Sequence, residues 1–427
     1  MIDKTIRQRV LVFGLVTFAL AGAVFAAAAE RGDAERGRAV FNGKGICYYC
    51  HGTDGRPDRR PQLSEETTKV IARLAPNPPD LRNPGGLRLQ SDPERFRAIR
   101  EGHSGTGMLP DTTLTDQEIA DTLAYLAQVA SRIQEYPVPA GSHPHDVAPA
   151  PDGGVWYVAQ RSGELGLLDP KTGQIRRIKL GEKSRPHGVI VGPDGAPWLT
   201  DSGLNAIVRV DPATEEVTVY PLPSGREGAN LNTAAFGKRG VLWFTGQSGI
   251  YGRLDLTVGK VEVFDAPKGP GPYGIAAAPD GTVYFVSLAG SYLARLDPDT
   301  GAATVIEPPT AKQGARRVWA DSKGHLWISE WNVGQLGRYD PAIGAWKEWR
   351  LPGEKPGAYA VYVDDRDKVW LTDFGANALV RFDPKTEQFE FFPLPSANAQ
   401  VRQVLGRHGE VWGAESGTDK LVVIRVP

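Results

Sequence analysis

The chain has 427 residues and only two cysteines, both in one run, Cys47-Tyr48-Tyr49-Cys50-His51. C-x-x-C-H is the spacing at which two thiols can add across the vinyl groups of a porphyrin while the next imidazole ligates its iron. A thioredoxin-like pair would need a βαβ setting, and a zinc site would need two more ligands at similar spacing; the chain offers neither. The segment therefore points to one covalent haem c, attached at Cys47 and Cys50 with His51 as proximal ligand. The other axial ligand must come from elsewhere. Apart from the initiator the single methionine is Met108. It lies in Gly105-Thr106-Gly107-Met108-Leu109-Pro110, a loop constrained by glycine and proline. Its thioether is the expected sixth ligand to the haem iron, with His103 as the competitor. Met/His ligation implies a relatively high potential and electron transfer rather than oxygen chemistry.

These residues need elements to position them. Residues 33–41 have helical spacing and lead into the cysteine loop. Thr115-Asp116-Gln117-Glu118 has a capping-box pattern and precedes Ile119, Leu123, Leu126 and Val129 at helical intervals. Residues 33–130 resemble the class I cytochrome c family: a helix, C-x-x-C-H, a G-x-G-M-x-P loop, and a closing helix of the form E-I-x-x-x-L-x-Y-L starting at Glu118. The resemblance implies a small all-α domain, placed at 30–132, and a redox partner protein.

Haem c is assembled outside the cytoplasm, and the N-terminus agrees. Lys4, Arg7 and Arg9 precede an apolar run at 10–25 and small residues at 26–29, which reads as a secretory signal peptide, 1–29. An uncleaved anchor is the rival, since about 20 apolar residues can span a bilayer. A periplasmic or secreted protein is expected, with no membrane span after signal removal. A net charge of −1 removes the argument for a nucleic-acid partner. Fifty glycines, 34 prolines and ten tryptophans point to many turns joined by short strands.

From His143 onward one pattern recurs, with aromatic anchors at Trp156, Trp198, Trp243, Tyr284, Trp327, Trp370 and Trp412. Turns such as Pro151-Asp152-Gly153 punctuate β-branched and aromatic runs, which excludes helices. Seven units of four short strands predict an all-β seven-bladed propeller over 133–427. Fourth-strand sequences fall at 174–180, 216–222, 260–266, 303–307, 346–351 and 388–394, but the chain ends on a third strand. Residues 133–138 match the missing one and should close the last blade, leaving no open edge.

Each first strand should line the channel. Counting back from each anchor, with a one-residue shift in the last blade, gives His145, His187, Asn232, Tyr273, Arg316, Tyr359 and Arg402, with His143 close by. None is aliphatic. A wet channel without a ligand would also be polar, but this set can converge on an anionic or metal-linked small molecule. The candidate catalytic residues are His187, His145, Arg316, Arg402 and Tyr273.

Residues 133–427 resemble the virginiamycin B lyase (streptogramin lyase) family. The shared text is Arg185-Pro186-His187-Gly188, Gly271-Pro272-Tyr273-Gly274-Ile275, Pro279-Asp280-Gly281, and Trp327-Ile328-Ser329-Glu330 followed by Gly337-Arg338. The resemblance implies opening of a cyclic ester by elimination, with a histidine base, a glutamate and Mg²⁺ near the funnel mouth. In the family the histidine stands in E-P-H. Here Arg185-Pro186-His187 and His143-Pro144-His145 keep the histidine and lack the glutamate, so Mg²⁺ in the propeller rests on the resemblance alone. The leading reading is an electron-transfer protein whose propeller binds a small molecule or partner protein. The runner-up is a lyase-like enzyme, or oxidation of a funnel-bound substrate with haem as electron acceptor. One haem accepts one electron, and there is no dinucleotide fingerprint to hold a second cofactor.

Overall fold

The computed structural model describes residues 32–82, 89, 91–130 and 132–426. The expected signal peptide lies outside the described residues. Among them, no helix is long and apolar enough to cross a membrane. The chain forms two compact units that divide between Ile133 and Gln134.

The first unit is helical, with α1 (Ala34–Phe41), α2 (Tyr48–His51), α3 (Glu65–Ala72), α4 (Asp92–Glu101) and α5 (Asp116–Ala130). Side chains cap the outer helices. The Asp33 carboxylate accepts the Arg36 N–H. Thr115 Oγ1 accepts the Glu118 N–H at 3.2 Å, while Glu118 accepts the Thr115 N–H at 2.8 Å, which satisfies two orphan donors reciprocally. Sequence reasoning found α1 and α5 and missed α3 and α4. The signal for α4 was present, since Ser91-Asp92-Pro93-Glu94 forms the same capping box. Helices α1 and α5 meet at Gly37, where a Cβ would lie 1.9 Å from the Asp121 carbonyl oxygen; only glycine permits that approach. One turn on, the Phe41 and Tyr125 rings pack at 5.8 Å. The Tyr125 hydroxyl donates to Asp54 at 2.6 Å, so α5 holds the segment that follows the cysteine loop.

The second unit contains 28 strands, β1–β28 in chain order, arranged in seven four-stranded sheets. It is a seven-bladed propeller. Second strands such as Val155–Ala159, Leu326–Glu330 and Val369–Asp373 are buried along their whole length, because blades pack face against face and cover both sides. Outer strands such as Ile175–Lys179 keep exposed positions. Six blades use four consecutive strands. The seventh has the order β1 (Ile133–Pro137), β28 (Lys420–Arg425), β27 (Glu410–Glu415), β26 (Val401–Arg407). Tyr136 stacks on Trp412 at 5.5 Å, Lys420 Nζ meets Glu135 at 2.6 Å, and Arg425 donates to Gln134 at 2.9 Å. The N-terminal strand thus closes the ring.

Candidate functional site

In the helical unit, Cys47 and Cys50 are unbridged and partly buried. Cys47 packs against the cluster of Phe41, Tyr125 and Val129. Burial pushes its thiol up to about 11 and raises that of Cys50, so neither is the activated thiolate of a redox pair. His51 Nδ1 lies 3.3 Å from the Pro79 carbonyl oxygen. A carbonyl can only accept, so Nδ1 carries the proton and Nε2 keeps its lone pair free for a metal. Burial holds the imidazole below its usual pKa, which favours that neutral form. Met108 packs with Ile99, Leu114, Ile119 and Leu123. Its backbone is pinned by the His103 N–H to its carbonyl at 3.0 Å and by its own N–H to Thr106 Oγ1 at 3.1 Å. Two free thiols, a neutral histidine with an open Nε2 and a thioether in apolar surroundings fit a haem.

In the propeller, the first strands are β2 (Pro144–Pro149), β6 (Pro186–Val191), β10 (Leu231–Phe236), β14 (Pro272–Ala277), β18 (Ala315–Ala320), β22 (Ala358–Val363) and β26. Each pairs irregularly with its neighbour at the same place, just where the expected channel residues fall. A bulge breaks the strict alternation of side chains and re-aims one of them. Polar groups therefore come from two consecutive positions. The first tier holds the expected His145, His187, Asn232, Tyr273, Arg316, Tyr359 and Arg402. The second adds Asp146, Thr233, Arg317 and Gln403, which sequence reasoning missed. The doublets His145-Asp146 and Arg316-Arg317 inside otherwise apolar strands were the available signal.

Several first-tier residues come together. The His145 and His187 rings lie 3.8 Å apart, and Tyr273 is 5.8 Å from His187. The Tyr273 and Tyr359 hydroxyls are 2.8 Å apart. The Arg316 guanidinium rests over Tyr359 at 3.6 Å, with Tyr273 at 4.8 Å and Trp331 at 5.0 Å. Arg402 is more distant, 5.9 Å from the Tyr359 ring. In the second tier, Arg317 reaches from blade five to Asp146 of blade one (2.8 Å) and Thr233 of blade three (2.9 Å). The cavity at this tier is about 30 Å³, room for a water or two and too small for an organic molecule.

The protonation states follow from these contacts. His145 Nδ1 faces Asp146 Oδ1 at 2.8 Å, and His187 Nδ1 faces the Asn232 carbonyl at 3.0 Å. Burial holds both imidazoles well below their usual pKa, with Arg317 adding to the effect on His145 and the neighbouring His145 to that on His187. Both are neutral bases with Nε2 unprotonated. Burial opposes ionisation of Tyr359, but Arg316, Arg317 and the Tyr273 hydrogen bond outweigh it and hold the phenol below its usual value. Ligand atoms of His145, Asp146 and His187 lie within 4.8 Å of one another, a spacing compatible with a metal. The field is unfavourable to one: Arg317, Arg402 and Arg316 all act on His145, and the one carboxylate of the group is already paired with Arg317.

Comparisons with known proteins agree with this architecture. The virginiamycin B lyase family profile matches residues 105–342, and the cytochrome c family profile matches residues 34–130. The chain belongs to the virginiamycin B lyase family, with a cytochrome c domain ahead of the propeller. That domain implies a haem cofactor and electron transfer. A streptogramin B lyase structure superposes with a TM-score of 0.62 at 23% identity, covering 68% of this chain and 96% of that one. A catalytically inactive histidine-to-alanine variant of the virginiamycin B lyase from Staphylococcus aureus, solved with quinupristin, gives 0.64 at 21% identity, covering 69% and 99%. YCF48 bound to D1 peptide gives 0.57 at 15%, covering 69% and 96%. No curated protein sequence matches the chain.

Proposed function

We propose that this is a periplasmic or secreted c-type cytochrome that transfers electrons through one covalently held haem, and that its propeller funnel binds a small anionic molecule. His51 carries the first half: its Nδ1 is committed to the Pro79 carbonyl, so Nε2 is the nitrogen left to bind iron. Cys47 and Cys50 would hold the porphyrin, and Met108 would take the sixth position. The bound group would supply a one-electron couple; His51 and Met108 would hold its iron, and the apolar residues around Met108 would help set its potential. Arg316 and Arg402 support the anion site, since each has a buried Nε without a partner.

A second reading, a lyase-like elimination, is favoured by the neutral imidazoles of His145 and His187, either of which could accept a proton. The missing glutamate and the cationic field weigh against the Mg²⁺ that the family's elimination uses. A pyridine haemochrome spectrum with metal analysis separates the two. One haem iron per chain and no other metal is expected; stoichiometric Mg²⁺ would favour the lyase, and absence of haem would overturn the cytochrome reading.

A further inference from the structure

We propose that the funnel takes a small hydroxycarboxylate, an acid whose carboxylate lies against Arg316 and Arg402 and whose hydroxyl hydrogens go to Asn232, His145 and His187. This rests on the anion-binding reading above and narrows it to a chemical class.

The donor side of the site is free and fixed. Arg317 is spent on Asp146 and Thr233. Arg316 meets no carboxylate among the described residues, and Arg402 donates only to Gln400 at 3.3 Å. Arg316 cannot swing freely, because its guanidinium lies over the Tyr359 ring and beside Tyr273 and Trp331. A planar fork held in place is suited to a planar carboxylate.

The acceptor side distinguishes a hydroxylated acid from a bare anion. Asn232 is 1% exposed, and its amide NH₂ donates to the Asn230 carbonyl at 3.0 Å. That contact assigns the other amide atom as oxygen, and this Oδ1 is buried with no partner. A buried acceptor left unmet is costly, so a donor is wanted there. His145 and His187 add two more acceptors, since both Nδ1 atoms are committed and neither Nε2 meets a protein group among the described residues. Sulfate or a simple fatty acid would satisfy the arginines and leave these three unanswered. A divalent cation would satisfy the imidazoles but would sit in the field of Arg316, Arg317 and Arg402. A carboxylate bearing hydroxyl groups answers both halves.

The test is calorimetric titration of the full-length protein with matched acids, lactate against propionate and gluconate against hexanoate, with glucose as the uncharged control. At least one hydroxy acid should bind tenfold or more tightly than its deoxy partner, and glucose should not bind. Arg316→Ala should abolish binding of both acids, whereas Asn232→Ala should bring the hydroxy-to-deoxy ratio toward one while carboxylate binding persists. If Asn232→Ala does not fold, the wild-type ratio decides the hydroxyl preference, and Arg402→Gln, at a partly exposed position, tests the carboxylate contact. Equal affinity for hydroxy and deoxy acids would overturn this inference and leave the anion site standing. Failure of every acid to bind the folded protein, or stoichiometric divalent metal lost with His187→Ala, would overturn both.

Discussion

Replacing Glu330 with glutamine should make the propeller less sensitive to pH. Glu330 ends its strand with 0% exposure, and neither carboxylate oxygen has a partner. It lies over Gly337, where a Cβ would come within 2.4 Å of Oε1. Burial, and then the neighbouring Glu348 carboxylate, push its pKa from the ordinary 4.5 up to about 8. The unfolded chain therefore releases this proton near pH 4.5, while the folded chain keeps it to about pH 8. Within that window the folded state binds one more proton, so its stability falls as pH rises. The slope is about 1.4 kcal/mol per pH unit, which gives on the order of 3 kcal/mol between pH 5.5 and 7.5. Glutamine has nearly the same shape and no proton to lose. Urea unfolding followed by tryptophan fluorescence at pH 5.5, 6.5 and 7.5 should show the variant gaining on the wild type by about 1.4 kcal/mol per unit. Glu415, also pushed to about 8, by burial and Glu135, is present in both proteins and cancels in the difference. A difference between the two proteins that stays constant with pH would refute the reasoning.

Met108→Ala should abolish the weak long-wavelength charge-transfer band of sulfur-ligated ferric haem; a band that survives, or is absent from the wild type, hands the sixth position to His103 or another group. A chain starting at His143 should be less stable than one starting at Ile133, because it lacks Ile133, Tyr136 and Val138, all buried, each worth about 1.5 to 3 kcal/mol. Equal melting temperatures would show that β1 does not help hold the ring shut. Asp146→Ala should cost about 3 to 5 kcal/mol by leaving Arg317 buried without its counter-ion. Asp146→Ala together with Arg317→Met should recover much of that loss, and no recovery in denaturant melts would show that the pair does not act as a unit.

What could be read from the sequence was whatever the chain writes locally. C-x-x-C-H and the capping box at Thr115 are contained within a few residues, and the Trp and Tyr anchors repeat because each blade solves the same packing problem. Ring closure was also legible, since a fourth strand stood before the first blade and none followed the last. The second funnel tier was not. Counting one residue per blade assumes that alternate side chains face the channel, and the bulge in every first strand violates that assumption. Asp146 and Arg317 therefore fall outside that count, although their salt bridge decides how much positive charge the funnel has left for a ligand. Helix α3 was missed for a different reason: it has one buried residue, Ile71, so there was almost no apolar stripe to detect.

The composite seventh blade also constrains the order of events during synthesis. Its outer strand is made before every other strand of the propeller, and its three inner strands are made last. Arg425 bonds Gln134 across 291 positions of chain, so Tyr136 waits for Trp412 through six complete blades. Until then the nascent arc has an unsatisfied strand at its start and an uncovered blade face at its growing end, a combination prone to mispairing between neighbouring chains. Such long-range pairing slows folding and makes the final step cooperative: the ring gains its last stabilisation only when the final two dozen residues have arrived. Loss of a short C-terminal segment should therefore trap a nearly complete but sticky protein, a failure out of proportion to the number of residues removed.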